Sequence, residues 1–487
     1  MVSIDQKMTE KVISRYFGDL IVLLVAAGAV TCLWYWLSYD PTADISVSVP
    51  GTDGFVTNRT GAGNSVKIGE FFASYAGVAG NTSFSWPRFR GADSNNISAD
   101  SVPLIENIDG NDISSRVLWS VSLGEGHAGA AVHNGRVYVL DYDEENRADT
   151  LRCFSFADGT EIWRRWYAVE VKRNHGMSRT VPAVNDEYVV TIGPRCHVMG
   201  TDALTGDFLW GIDLVEELNA KVPLWYTGQC PLIDGNQAVI AVGGDLLLAG
   251  IDCESGEILW STPNIGGYQM SHSSVMVMDI HGRRTYVYAA LGAIVGVSAE
   301  QEDRGALLWS TKAFDATVIA PSPVYLEEGR IFATAGYGAG SLLFEVIRDG
   351  DSFSTEVVYR RRPKEGFACE QQTPIVFDGH LLGIMPKDAG PLRNQFVCAH
   401  PDGDIVWSSG ETDRFGLGPF LIADDKLLIL SDDGELTLAR ASTRAYEVLG
   451  RFTILDGFDA WAPLALVDGK LLARDSKTLV CVDLQHG

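Results

Sequence analysis

The chain is short of positive charge. Its 38 Lys and Arg stand against 63 Asp and Glu, a formal net charge of -25 over 487 residues. That balance argues against nucleic acid as a partner, because phosphate-backbone binding needs clustered cations. Cysteine is sparse too. None of the eight is adjacent to another and none forms C-x-x-C, so neither a disulfide framework nor covalent haem attachment is supported. Cys153, Cys398 and Cys481 recur at similar places in a repeat described below and read as small buried side chains. H-E-x-x-H and G-x-S-x-G are missing, which removes two common hydrolase signatures. What remains is a chain with 46% hydrophobic residues and 51 glycines, the composition of a packed core with many turns.

One long apolar run exists, Leu20 to Leu37, with Lys7, Lys11 and Arg15 before it and no further Lys or Arg until Arg59. Its length and its charge asymmetry predict a signal-anchor helix over 20–37. That places a cytoplasmic segment at 1–19 and the rest of the chain outside the inner membrane, in the periplasm or beyond. A cleaved signal peptide would need a small-x-small site after a shorter run, and the aromatics Trp34 to Trp36 do not provide one. Residues 38–84 are rich in Gly, Ser, Thr, Asn and Asp and read as a flexible tether, although Phe71, Phe72 and Tyr75 suggest that part of it docks. An approach segment at 85–116 follows.

From residue 117 onward two markers repeat in step. Turn dipeptides stand at Asn134-Gly135, Asn185-Asp186, Asp234-Gly235, His281-Gly282, Glu328-Gly329, Asp378-Gly379, Asp424-Asp425 and Asp468-Gly469, 44 to 51 residues apart. Each precedes an apolar strand, the signature of a hairpin. The second marker is an aromatic ending an apolar run: Trp119, Trp163, Trp210, Trp260, Trp309 and Trp407, with Tyr359 and Val448 in the remaining two places. Four strands per period of this length is the blade of a β-propeller. The expected fold is therefore all-β, an eight-bladed propeller of four-stranded antiparallel blades over 117–487. The last unit stops one strand short, so the strand around Trp119 should close the ring and remove the exposed edges of a linear array.

The blade segments TDALTGDFLW (201–210), IDCESGEILW (251–260) and AHPDGDIVW (399–407), together with SWPRFRGADSNNIS (85–98), resemble the PQQ-binding-like propeller family. The resemblance is specific for fold and weak for function. The family holds both quinone-dependent dehydrogenases and non-enzymatic scaffolds for outer-membrane protein assembly. It implies, for the dehydrogenases, a Trp beneath the quinone, a carboxylate base, and Ca²⁺ held by Glu and Asn. Those residues do not map onto this chain one by one, so no catalytic residue and no metal ligand is assigned, and a cofactor of PQQ with Ca²⁺ is unsupported by a mapped site. Gly124 to Gly129 matches G-x-G-x-x-G, but a strand-and-turn pattern follows it where a dinucleotide site needs a helix.

A recurrent proline aligns the innermost strand starts as TVP, QCP, PSP, QTP, LGP and WAP. Residues near those starts should gather at one mouth of the axial channel. They include His127, Gln229, His272, Gln372 and Trp461, with Lys172, Arg173, His175, Arg179, Tyr226, Glu370, Gln371 and Asp459 from adjacent loops. This set reads as a polar funnel for a small ligand or peptide. The competing reading is a solvated rim. The functional expectation is a non-catalytic scaffold or binding protein of the cell envelope that meets other envelope proteins through a propeller face. The alternatives are a quinone- or metal-dependent oxidoreductase and a small-ligand or peptide sensor.

Overall fold

The computed structural model describes residues 20, 22–37, 66–106, 113–174 and 176–486. Residues 22–37 are helical with exposed side chains. At 1.5 Å per residue that helix spans about 24 Å, short of the ~30 Å hydrocarbon core. Among the described residues no helix is long and apolar enough to cross a membrane. This corrects the expected single-pass anchor, and the inner-membrane placement derived from it falls with it. The proposed cytoplasmic segment 1–19 and most of the tether, 38–65, lie outside the described residues.

Eight antiparallel sheets follow one another along the chain. We number the blades in chain order by their inner strands: Ala131–His133, Ala183–Val184, Leu232–Asp234, Met276–Ile280, Val324–Tyr325, Ile375–Phe377, Phe420–Ala423 and Ala465–Val467. Each blade pairs its strands in sequence order outward from these. In six of the eight hairpins both turn residues take left-handed φ, for example Asn134 (46°) and Gly135 (71°). That is the type I′ geometry whose twist matches the flanking strands.

Blade 8 is completed from the other end of the ring. Val117–Ser122 pairs antiparallel with Thr478–Asp483, bringing Trp119 opposite Cys481. The seam is pinned by Arg474, whose buried guanidinium donates to the carbonyls of Gly124 (2.9 Å) and Ala128 (3.0 Å) in the segment leading into blade 1 and of Leu140 (3.2 Å) in that blade's second strand. Burial lowers its pKa to about 10. The G-x-G-x-x-G stretch lies at this seam, and its glycines serve close packing. A Cβ on Gly124 would stand 1.9 Å from the carbonyl oxygen of Tyr142, and one on Gly129 would stand 2.6 Å from that of Pro463.

The repeated Trp fixes the spacing between blades. Trp210 lies opposite Gly200 on its neighbouring strand, and its ring packs under Gly256 in the turn of blade 3. Its Nε1 donates to the carbonyl of Cys253 at 2.8 Å. Trp119 does the same two blade boundaries earlier, packing against Gly159 and donating to Phe156 at 3.0 Å. Each such indole fills a slot that only a glycine leaves open, so the motif is a packing device.

Two segments outside the repeats are fastened to the ring. Phe71–Ser74 adds a fifth strand to blade 1, with Phe71 opposite Trp166 and Ser74 opposite Trp163. The stretch 85–98 runs along the inner strands. Trp86 bridges Val132 in blade 1, and Pro87 accepts from Val184 in blade 2. Arg88 donates to Ile233 in blade 3 at 2.7 Å. Arg90 donates to Thr373 and Pro374 at the start of blade 6, and Ser98 donates to Ile422 in blade 7. Inner strands have a free edge facing the axis, and this segment satisfies it in five blades.

Candidate functional site

A cavity of about 330 Å³ lies at the mouth where the inner strands begin. Residues from the entry to all eight blades line it, and Phe89 of the lacing segment adds to its wall. His127, Arg179, His272, Glu370, Gln371, Gln372 and Trp461, all expected at a funnel, are brought together here. Glycines make room for three of them. Cβ atoms on Gly176, Gly228 and Gly336 would stand 2.9 Å or less from His127, His272 and Glu370 respectively.

Two aromatic pairs form the walls. His127 and Trp461 lie 4.9 Å apart between ring centroids, and the Trp461 Nε1 donates to Asp432 at 2.7 Å. Gln372 donates to the carbonyls of Leu417 (3.2 Å) and Trp461 (3.1 Å), which ties blade 6 to the entries of blades 7 and 8. Across the mouth Trp225 stacks on Tyr337 at 5.6 Å and 25°. Both residues hold left-handed φ, 63° and 55°, a conformation that is costly for a bulky side chain and persists only where surroundings enforce it. Lys387 sits 4.7 Å over the Tyr337 ring and meets Glu370 at 2.9 Å. Trp225, Tyr337, Lys387 and Glu370 thus make a continuous arch from blade 3 to blade 6.

Arg179 faces the cavity between these walls and donates to the backbone carbonyls of Asn174 (2.9 Å) and Gly176 (3.1 Å). Desolvation lowers its pKa to about 10, so it stays charged at neutral pH. Desolvation first, and Arg179 second, lower His272 to about 4, leaving it neutral at physiological pH.

Other expected residues stand elsewhere. Gln229 is fully buried and exchanges hydrogen bonds with the backbone of Ala241 in its own blade. Tyr226 is buried, its hydroxyl bonded to the backbone of Lys172. Arg173 pairs with Glu125 at 2.7 Å at the surface. Lys172 and Asp459 do not line the cavity, and His175 lies outside the described residues. The sequence reading missed Phe89, Trp225, Tyr337 and Lys387. The last two sit in loops joining second to third strands, and the long PKDAGPLRNQ loop (386–395) of blade 6 was the one visible sign of Lys387.

A sequence-family model, PQQ_2, described as outer membrane protein assembly factor BamB, matches residues 108–272 and 147–361, together more than half of the chain. The chain belongs to this PQQ_2 family. No curated protein sequence matches it. Several solved structures share its fold at low identity. BamB from Moraxella catarrhalis is 13% identical, covers 74% of this chain and 98% of its own, and has a TM-score of 0.50. A europium-containing methanol dehydrogenase is 12% identical over 82% of this chain and 89% of its own, with a TM-score of 0.55. Quinohemoprotein alcohol dehydrogenase from Comamonas testosteroni is 12% identical over 83% and 81%, with a TM-score of 0.50.

The flat faces of Trp225 and Trp461 suit a planar group, but the donor set does not suit Ca²⁺ beside it. Ca²⁺ takes six to eight oxygen ligands. Among the described residues one carboxylate lines the cavity, Glu370. Its Oε1 meets Lys387 Nζ and its Oε2 accepts from the Lys387 backbone. Among the described residues no group of three or more His, Cys, Asp or Glu could hold a metal ion.

Proposed function

We propose that this PQQ_2 propeller is a non-catalytic binding protein whose working surface is the axial mouth. One observation carries the reading: side chains distant in sequence, most of them polar or aromatic, converge on one cavity from the entries to all eight blades. The family description, an outer membrane protein assembly factor, supports another protein as the partner. Its contact would be a loop or chain end small enough to enter the cup.

The second reading is a quinone-dependent oxidoreductase. The aromatic walls and the fold shared with methanol dehydrogenase favour it. The single, already paired carboxylate of the cup disfavours it.

The test replaces His127, Arg179 and Trp461 together by Ala and, separately, Asp234 and Asp378 at the opposite, turn-bearing face. Partners captured by the wild-type chain should be lost from the first variant and kept by the second. The reverse pattern would place the working surface at the turn face. Reduction of a dye with an alcohol after addition of PQQ and Ca²⁺ would overturn the non-catalytic reading.

A further inference from the structure

Blade 6 carries two imidazoles side by side on the turn-bearing face, away from the axial mouth. His380 opens the second strand of that blade (His380–Ile384), directly after the Asp378-Gly379 turn. His400 follows its third strand (Phe396–Ala399). The ladder between these strands sets Leu381 opposite Ala399, so one step outward brings His380 opposite His400. Residues that face each other in this way hold their Cβ atoms about 4.5–5.5 Å apart on one side of the sheet. The two rings lie 4.8 Å apart between centroids, at 38°. His400 is exposed and His380 is half-buried.

The blade does not demand this pair. At the same place in the repeat Arg136 faces Ser155, Arg330 faces Glu345 and Lys470 faces Asp483. One of the imidazoles is also held in a single tautomer. His380 Nδ1 lies 2.8 Å from the carbonyl oxygen of Asp378. A carbonyl can only accept, so Nδ1 carries the proton and Nε2 presents a lone pair. A backbone carbonyl on one ring nitrogen is what prepares the other to bind a metal. His400 is positioned through its backbone, whose N–H donates to Asp404 at 2.9 Å and whose carbonyl accepts from Gly403 at 2.8 Å. Asp378, Asp402 and Asp404 stand in or beside the two adjoining turns, where Arg361 pairs with Asp404 at 2.6 Å. The excess of acid favours a cation there. His133, on the same face of blade 1, differs. Its Nε2 meets Asp186 at 2.8 Å and its Nδ1 meets Ser85 at 3.0 Å, so both ring nitrogens are engaged.

We propose that His380 and His400 form a two-imidazole site for a borderline divalent transition ion, Cu²⁺ above all, with water in the remaining positions. Among the described residues no group of three or more His, Cys, Asp or Glu could hold a metal ion, so the protein supplies two ligands and leaves the outer side of the ion open. Such a donor set selects by chemistry. Imidazole suits Cu²⁺, Ni²⁺ and Zn²⁺, with Cu²⁺ bound most tightly, whereas Ca²⁺ and Mg²⁺ need oxygen ligands. The site is independent of the axial mouth, and the failure of either leaves the other standing.

The experiment is calorimetric titration of the untagged full chain with CuCl₂ and ZnCl₂ in a buffer that does not chelate metals, repeated in excess CaCl₂. The tightest Cu²⁺ site should be one per chain, stronger than that for Zn²⁺ and indifferent to Ca²⁺. Removing a group that merely orients a ligand commonly costs about 10–100-fold in metal affinity. His380→Gln and His400→Gln should therefore each weaken Cu²⁺ by about tenfold or more. The double replacement should add little, because a single imidazole no longer chelates. His133→Gln should leave the site unchanged. Should either variant melt early, ring-proton NMR of the wild type serves instead: substoichiometric Cu²⁺ should broaden the His380 and His400 signals before that of His133. Affinity untouched by both substitutions, an equal loss from His133→Gln, displacement by Ca²⁺, or broadening that spares either ring would each overturn the proposal.

Discussion

Arg90 donates to the carbonyl of Thr373 at 2.8 Å across 283 residues of sequence. The same guanidinium donates to Pro374, Ser94 and Asn95, and the side chain is buried. Its pKa is lowered to about 9 by desolvation. Here a charge is accommodated by several carbonyl oxygens, at the point where the lacing segment reaches blade 6. Arg90→Ala leaves those acceptors buried without donors. It should destabilise the ring by about 3 kcal/mol or more, read as a lower midpoint in urea. A loss below about 0.5 kcal/mol would mean that the segment rests on the ring without bracing it.

Gly250 and Trp260 face each other across adjacent strands of blade 3 so closely that a Cβ on Gly250 would stand 2.1 Å from the indole nitrogen. Gly250→Ala should cost about 1–3 kcal/mol by overpacking. In a Trp260→Leu background the same change should cost much less, since the ring that it strikes is gone. Additive costs in that double-mutant cycle would deny the proposed contact.

Asp149 is buried between blades 1 and 2, where it accepts the Tyr167 hydroxyl at 2.8 Å. Desolvation raises its pKa to about 7. A carboxyl raised in the fold contributes stability that is fully present below its unfolded pKa near 4 and is lost as pH rises through 7. The slope is about 1.4 kcal/mol per pH unit in that window. Asp149→Asn should flatten it, so the variant gains on the wild type between pH 4 and 7. Denaturant titrations at several pH values would show this, and a parallel offset at all pH values would refute it.

His272 works in the opposite sense. Its pKa is lowered to about 4, so its contribution is present above the unfolded value near 6.5 and is lost as pH falls toward 4. His272→Gln should therefore protect the ring in mild acid, and the contribution of Asp149 should then dominate what remains. Ring-proton NMR of the single His272 resonance should show no titration at pH 6. A midpoint near 6.5 would contradict the burial argument.

Much of the fold was legible because its signals are local and periodic. Asn134-Gly135 and its counterparts are hairpin turns by residue type alone, and Trp119 standing before the first hairpin exposed the circular closure with Thr478–Asp483. The cup was legible only where periodicity reached. Position two before the recurrent proline, or its nearest equivalent, holds His127, Gln372 and Trp461, which face the cavity, but also Thr180 and Gln229. These bond to Ile192 and Ala241 of their own blades. Which way each turns depends on neighbouring strands, not on its place in the repeat. Tyr337 and Lys387 come from loops of irregular length, and Phe89 from a segment outside the repeat. The run 20–37 shows the limit of composition. It reads as a membrane span, yet the described helix is too short to cross.

The pairing of Val117–Ser122 with Thr478–Asp483 also sets an order of events during synthesis. The strand that completes the last blade leaves the ribosome ahead of blades 1 to 7, and its partner follows them. At a usual elongation rate of ~5–20 residues per second the early strand waits tens of seconds for that partner. The lacing segment likewise emerges before any of the inner strands that it spans. Until the final blade is made, the nascent chain presents an open ladder edge and an unfinished axis, so this is the interval in which chaperone capture or self-association of unfinished chains would be concentrated.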